Sequence, residues 1–222
     1  MTQGNLTACR TLTAFAVALI ALATSLVALS ATPAMSQTIV DKWASVPAPQ
    51  PPALKAVTVD PKTTALLMLD FMSQNCGKRP SCIASLPAMK KLLADARAAK
   101  APVVYSIIAN STTADVLPDV APLAGEPWVQ AGPDKFFNTG LAQILKDKGI
   151  QTVIVTGTAS NGAVLFTAAA AAFRGLNVIV PVDGMSASDP FADLATAFMF
   201  VNAPSVSPKT TLTKADMIKF GG

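Results

Sequence analysis

The chain has 222 residues, of which 51% are hydrophobic and 14% charged; its formal net charge is +4 and it contains no histidine. The missing imidazole excludes Ser-His-Asp and Cys-His nucleophile pairs, zinc sites built on histidine, and a histidine acid or base. Any chemistry falls to carboxylates, lysines, hydroxyls, thiols or backbone amides.

Arg10 is the only charged side chain before Asp41, and residues 14–29 (AFAVALIALATSLVAL) are apolar apart from Thr24 and Ser25. The run is followed by SATPAMSQT, with Ala34 and Ser36 spaced as a signal peptidase prefers. A basic start, an apolar core and a small-residue exit predict a secretory signal over residues 1–36, cut between Ser36 and Gln37, and a periplasmic or secreted product. The alternative is an uncleaved anchor, but these apolar residues fall short of the ~20 that a membrane span requires. Cys9 precedes the apolar core and is not placed for lipidation. Removing 36 of the 222 residues leaves 186, one domain with room for a full core and no stable membrane anchor. The remaining basic residues are scattered singly or in pairs (Lys78-Arg79, Lys90-Lys91), which gives nucleic-acid binding no support.

In chain order, residues 37–60 form a Pro-rich lead, expected to be extended as far as residue 56. TALLMLD (64–70) reads as a strand buried on both faces, ending in Asp70. Cys76 and Cys82 follow, separated by GKRPS. In an oxidising compartment they pair as a disulfide; the alternative is a reactive thiol at Cys76 activated by Lys78 and Arg79. The spacing of Met89, Leu92, Leu93 and Ala96 predicts a helix over 87–99. Residues 102–108 read as a second strand and 110–134 as a loop with a short strand near Trp128. A helix over 138–148, a strand over 152–156, a helix over 164–173, a strand over 177–180, a helix over 190–201 and a last strand over 210–212 complete the pattern. Strands alternating with helices predict a three-layer α/β/α fold, Rossmann-like, around a mostly parallel sheet.

Ligands of such sheets bind beyond the carboxyl ends of the strands. Three features converge there: Asp70, the turn GTASNGA (157–163) with Ser160 or Asn161 as the expected N-cap of the next helix, and Asp183-Gly184. The amides of the turn, around Ala159, Ser160, Asn161 and Gly162, are placed to hold an anion or oxyanion. The turn is neither GxGxxG nor a Walker loop, so a nucleotide has no support. Asp183 reads as a turn residue, and an acid ending a strand is as often a turn former as a catalyst.

Three segments resemble the isochorismatase-like hydrolases, also called the cysteine hydrolase superfamily: TALLMLDFMSQN (64–75), the helix-strand-turn-helix-strand block 134–187, and the tail 201–218. The resemblance covers nearly the whole domain and implies its isochorismatase-type fold. It also implies an Asp, Lys, Cys set, in which the aspartate is an acid/base, the lysine supports it and the cysteine attacks the substrate. Asp70 matches the aspartate, whereas the cysteine position falls on Ala163, which has no lone pair to offer. The lysine is expected near Gln130 or Ala131; Lys135 reaches the site only if the loop is arranged differently, and otherwise reads as a solvated lysine at a helix entry. Ser160 and Thr167 have no evident base beside them. The absent histidines argue against a nicotinamidase, and neither metal nor other cofactor is expected.

One branch of the family, the isochorismatases proper, has a small residue at the cysteine position and cleaves a vinyl ether. There the aspartate protonates the alkene carbon and water captures the oxocarbenium ion. The resemblance thus implies a hydrolase acting on a small, anionic molecule through Asp70, at an amide C–N or vinyl ether bond. The alternative is a degenerate member that binds a small metabolite without turnover, and a third reading recruits Cys76 as the thiol. Association into a homo-oligomer follows from the resemblance alone.

Overall fold

The computed structural model describes residues 38–221, so the predicted signal segment, Cys9 and the Ser36–Gln37 bond lie outside the described residues. The chain divides into two compact units, Met1–Val46 and Pro47–Gly222. In the first, the described residues form one helical turn, α1 (Ile39–Lys42), followed by a 3-10 turn at Trp43–Ser45. The lead is therefore not extended from its start. Asp41 accepts from the Thr38 amide at 2.8 Å, closing a capping box, and the first proline comes only at Pro47.

In the second unit the strands are β1 (Val57–Val59), β2 (Thr64–Leu69), β3 (Val103–Ile107), β4 (Trp128–Gln130), β5 (Thr152–Thr158), β6 (Asn177–Pro181), β7 (Met185–Ser186), β8 (Thr210–Thr213) and β9 (Ile218–Phe220). The main sheet runs β4-β3-β2-β5-β6-β8 with every neighbour parallel, and β7 adds to the end of β5; β1 and β9 form a separate parallel pair. The helices are α2 (Pro80–Ala98), α3 (Leu141–Asp147), α4 (Leu165–Phe173) and α5 (Pro190–Asn202).

The period of two along β2 sorts its side chains between two cores. Leu66 and Met68 join Met89, Leu92 and Leu93 of α2 on one face, and Leu67 and Leu69 join Leu141, Ala168 and Phe200 from α3, α4 and α5 on the other. Both faces of the sheet are thus covered, which is why β2 reads as an unbroken apolar run. No helix among the described residues is long and apolar enough to cross a membrane.

Helix boundaries shift where proline chemistry decides them. α2 begins at Pro80 rather than near Pro87, because Pro80 fits the first helical turn, where no amide donor is needed. Pro87 sits inside the helix at the cost of one backbone hydrogen bond. The turn after β5 is itself helical, a π-turn over Ser160–Val164 that runs into α4. Its N-cap is therefore Ala159, and Ser160 and Asn161 lie inside the first turn.

Candidate active site

Pairing of β2 with β3 and β5 sets Leu69 opposite both Ser106 and Gly157, so three strand ends meet where β2 gives way to Asp70. Asp70 takes a left-handed backbone conformation (φ 55°), which aspartate tolerates better than most residues. Both its carboxylate oxygens are engaged: Oδ1 accepts from Ser106 Oγ at 2.6 Å and Oδ2 from Lys135 Nζ at 2.6 Å. The two charged residues are 4% and 1% exposed, so this is a buried ion pair. Its charges cancel, and further hydrogen bonds satisfy what the pair leaves over, the condition under which such burial is tolerable.

Lys135 reaches Asp70 because the loop before α3 folds inward. Its ammonium also donates to the carbonyls of Gly132 at 2.8 Å and Ala131 at 3.4 Å. The stretch where a lysine was expected thus contributes carbonyls that steer Lys135 instead. Thr167 on α4 fixes the loop, accepting from the Lys135 amide at 3.2 Å and donating to Pro133 O at 3.2 Å. The reading of Lys135 as a solvated lysine fails, since burial here comes from a loop path that the sequence does not display.

The pair borders a cavity of about 330 Å³ that is also lined by Asn75, Arg79, Ile108, Ala159, Gly162 and Ala163. Ala163 is 4% exposed and places a methyl group at the wall. Of the predicted anion-binding turn, Ala159 and Gly162 reach the cavity while Ser160 and Asn161 do not. The Gly162 amide is spent within the turn on Ala159 O at 3.1 Å, which removes one of the donors expected for a ligand, and the Val164 amide is spent on the same carbonyl at 3.2 Å. Ser160 is fully buried, and its hydroxyl faces Asp193 of α5 without closing a hydrogen bond of normal geometry. Burial pushes the Asp193 carboxyl above the usual carboxylate range, against the lowering influence of the Ser160 hydroxyl and the Ala187 amide. Asp183 is structural, accepting from the Ala215 amide at 2.9 Å.

Cys76 and Cys82 are joined by a disulfide, and both are fully buried. No thiol is therefore available at Cys76 in this state. A larger cavity of about 600 Å³, lined by Phe136, Leu145, Ile150, Arg174 and Leu176 among others, lies beside the amino end of β5 and contains no carboxylate.

Among the residues that escape the sequence reading are Asn75 and Arg79, which line the cavity, and Ser106, which holds Asp70. A polar residue in the run VVYSII (103–108) is the signal for Ser106. In the sequence Arg79 stands out only as a neighbour of the cysteines, and Asn75 only as the end of TALLMLDFMSQN (64–75).

The isochorismatase-domain family model matches residues 64–209, spanning β2 through the 3-10 turn before β8. The chain belongs to the isochorismatase family. Among curated relatives it is 38% identical over 73 residues to a nicotinamidase from Acinetobacter baylyi, covering 33% of this chain and 34% of the relative. It is 31% identical over 124 residues to a secreted isochorismatase effector from Verticillium dahliae, covering 50% of this chain and 65% of the relative. The chain thus matches less than two thirds of the length of either relative. Among solved structures, a cysteine hydrolase from Pseudomonas syringae pv. phaseolicola superposes with a TM-score of 0.65 at 19% identity, over 74% of this chain and 94% of that one. That likeness establishes the fold, a mostly parallel sheet between helical layers.

Proposed function

We propose that this isochorismatase-family protein hydrolyses a small anionic molecule through Asp70, without a covalent cysteine intermediate. The observation that carries the reading is the buried Asp70–Lys135 pair at 2.6 Å, bordering a cavity whose turn residue is Ala163. With no thiol on the turn, attack falls to water, and the chain supplies proton transfer and charge balance. For a vinyl ether, Asp70 first takes up a proton from solvent and then delivers it to the alkene carbon, leaving an oxocarbenium ion that the carboxylate and the cavity shield. Water adds to that ion and returns a proton to Asp70, and the resulting hemiketal breaks into a ketone and an alcohol. The ammonium of Lys135 balances the carboxylate whenever the proton is away, and Ser106 holds Oδ1 in place. For an amide, the same carboxylate would accept a proton from attacking water and pass it to the leaving nitrogen.

The test is turnover of a panel of amides, esters and vinyl ethers, isochorismate included, with Asp70→Asn alongside. Asparagine keeps the shape and tolerates the positive φ but leaves the Lys135 ammonium buried without its counter-charge, so circular dichroism is used to confirm the fold before the rate is read; that rate is expected to fall by ~100-fold or more. An unchanged rate would discard Asp70 as the acid/base. Absence of turnover on every member of the panel would favour a binding protein that has lost its chemistry.

We further propose that the chain is exported and cut between Ser36 and Gln37. Support comes from Arg10 and the apolar run behind it, from Ala34 and Ser36, and from a disulfide that suits an oxidising compartment. Mass spectrometry of the product from its native host should find a chain beginning at Gln37; a product retaining residues 1–36 would refute the cleavage.

A further inference from the structure

The polar groups at the cavity divide into two sets. Asp70 and Lys135 saturate each other, and both carboxylate oxygens are taken. What remains is a set of donors. Arg79 is held by two neutral hydroxyls, with Nε donating to Ser188 Oγ at 3.3 Å and Nη1 to Thr158 Oγ1 at 2.7 Å. It takes part in none of the ion pairs among the described residues. Two of the five guanidinium N–H groups are thereby used and three are left over. Asn75 is oriented by its own carbonyl, which accepts from the Cys76 amide at 2.8 Å and the Met72 amide at 3.3 Å. Its side-chain NH2 is bonded to nothing among the described residues and is a second donor on the same wall.

An uncompensated guanidinium and an unpaired amide NH2 beside mostly apolar walls form an environment that neutral ligands satisfy poorly. A carboxylate satisfies both at once, because its two oxygens match the planar Arg fork and the charge cancels. The mounting is firm. Arg79 donates its amide to Cys76 O at 3.0 Å, and its carbonyl accepts from the Cys82 amide at 3.0 Å, inside the loop that the disulfide closes. Thr158, the hydroxyl beneath the guanidinium, also donates to Ser186 O at 3.1 Å.

We propose that Arg79 and Asn75 form the carboxylate-recognition subsite of this cavity, so that its ligand carries a carboxylate group. The inference rests on the reading that this cavity is the substrate site, and it narrows the substrate to a monocarboxylate or a larger acid presenting one carboxylate here.

Binding of cyclohex-1-ene-1-carboxylate is compared with that of its primary amide, a neutral molecule of nearly the same shape, by calorimetric titration of the purified protein. The carboxylate should bind roughly tenfold or more tightly. Arg79→Gln should reduce that preference to within roughly twofold. Asn75→Asp keeps the oxygen that serves the Cys76 and Met72 amides while replacing the donor with a negative charge, so it should also abolish the preference in a folded protein. Equal binding of acid and amide, a preference that survives Arg79→Gln, or no saturable binding of either would each overturn the proposal. Because binding is read without turnover, the two readings fail separately. Asp70-dependent hydrolysis in a protein with no carboxylate preference removes the subsite and leaves the catalysis standing. A carboxylate preference in a protein that hydrolyses nothing removes only the catalysis.

Discussion

At the scale of single residues, the site depends on two backbone positions that few side chains tolerate. Asp70 adopts φ 55°, and Gly157, across from Leu69 on β5, adopts φ 136°. A methyl group on Gly157 would stand 2.1 Å from Leu69 O and 2.7 Å from Leu69 Cβ, contacts with backbone that has nowhere to move. Gly184 is a useful contrast, since an added methyl would meet the flexible end of Met89 at 2.8 Å and, less closely, Pro181 Cγ at 3.2 Å. Gly157→Ala is therefore predicted to cost about 3 kcal/mol or more and Gly184→Ala roughly 1 kcal/mol, measured by urea unfolding. Equal costs would show that β2 and β5 can part at the site. Asp70 was legible in the sequence because an acid ending an apolar run is a local signal. Lys135 was only half legible, because the loop from 131 to 135 determines whether its ammonium points to solvent or to Asp70, and that path depends on Thr167, thirty-two residues further on. Nothing local to Arg79 marks it as a lining residue, since its place is set by the disulfide and by Thr158 on another strand.

At the scale of elements, the long connection from β3 to β4 is held by a polar brace beneath α2. Arg97 forms a two-pronged pair with Glu126, Nε to Oε1 at 2.8 Å and Nη2 to Oε2 at 2.7 Å, and also donates to Ala121 O at 3.0 Å. Tyr105 of β3 accepts from Arg97 Nη2 at 3.0 Å and donates to Val120 O at 3.0 Å. Burial, the largest influence, pushes the Tyr105 phenol well above its ordinary value, against the lowering effect of Arg97. A raised value in the fold means that the phenol's contribution is full below about pH 10 and is lost as pH rises beyond it, because the unfolded chain ionises first. Tyr105 is the sole tyrosine, so absorbance at a phenolate wavelength reports it alone. The native protein should show no phenolate until it unfolds in alkali, whereas the urea-unfolded chain should titrate near the ordinary value of about 10. Normal titration of the native protein would mean that the brace is open. Tyr105→Phe should cost about 1–2 kcal/mol at neutral pH and lose less stability in alkali than the parent. The sequence showed β3 through its apolar run but not this brace, whose partners are 8 to 21 residues from Tyr105 along the chain. The short strands β1, β7 and β9 also escaped it, because two or three residues carry no readable alternation.

At the scale of the molecule, the fold is closed by its two ends. β1 and β9 pair in parallel, Val57 opposite Ile218 and Val59 opposite Phe220, and the Gly221 amide donates to Val59 O at 3.0 Å. Further back in the lead, the Lys55 amide donates to Leu212 O at 2.9 Å, beside β8. Val59 is 6% exposed and Ile218 also 6%, and both join the core that α2 covers. The segment 47–59 therefore belongs physically to the domain, and the Pro-rich composition that marked it as a lead reflects its lack of helix rather than a lack of contacts. A chain beginning at Asp60 should be less stable than one beginning at Pro47. It gives up the burial of Val59, uncovers part of Ile218 and leaves the β9 backbone without a partner, a loss of about 3 kcal/mol. For a domain of this size that corresponds to a fall of roughly 6–12 °C in Tm. The Asp70 cavity lies at the carboxyl end of β2, while Thr63 and the β1 connection lie at its amino end, so the shortened chain should keep its ligand preference at temperatures where it is folded. Equal Tm values would mean that the β1–β9 pair contributes nothing to the fold. A lost ligand preference in a folded shortened chain would mean that the two ends of β2 are coupled.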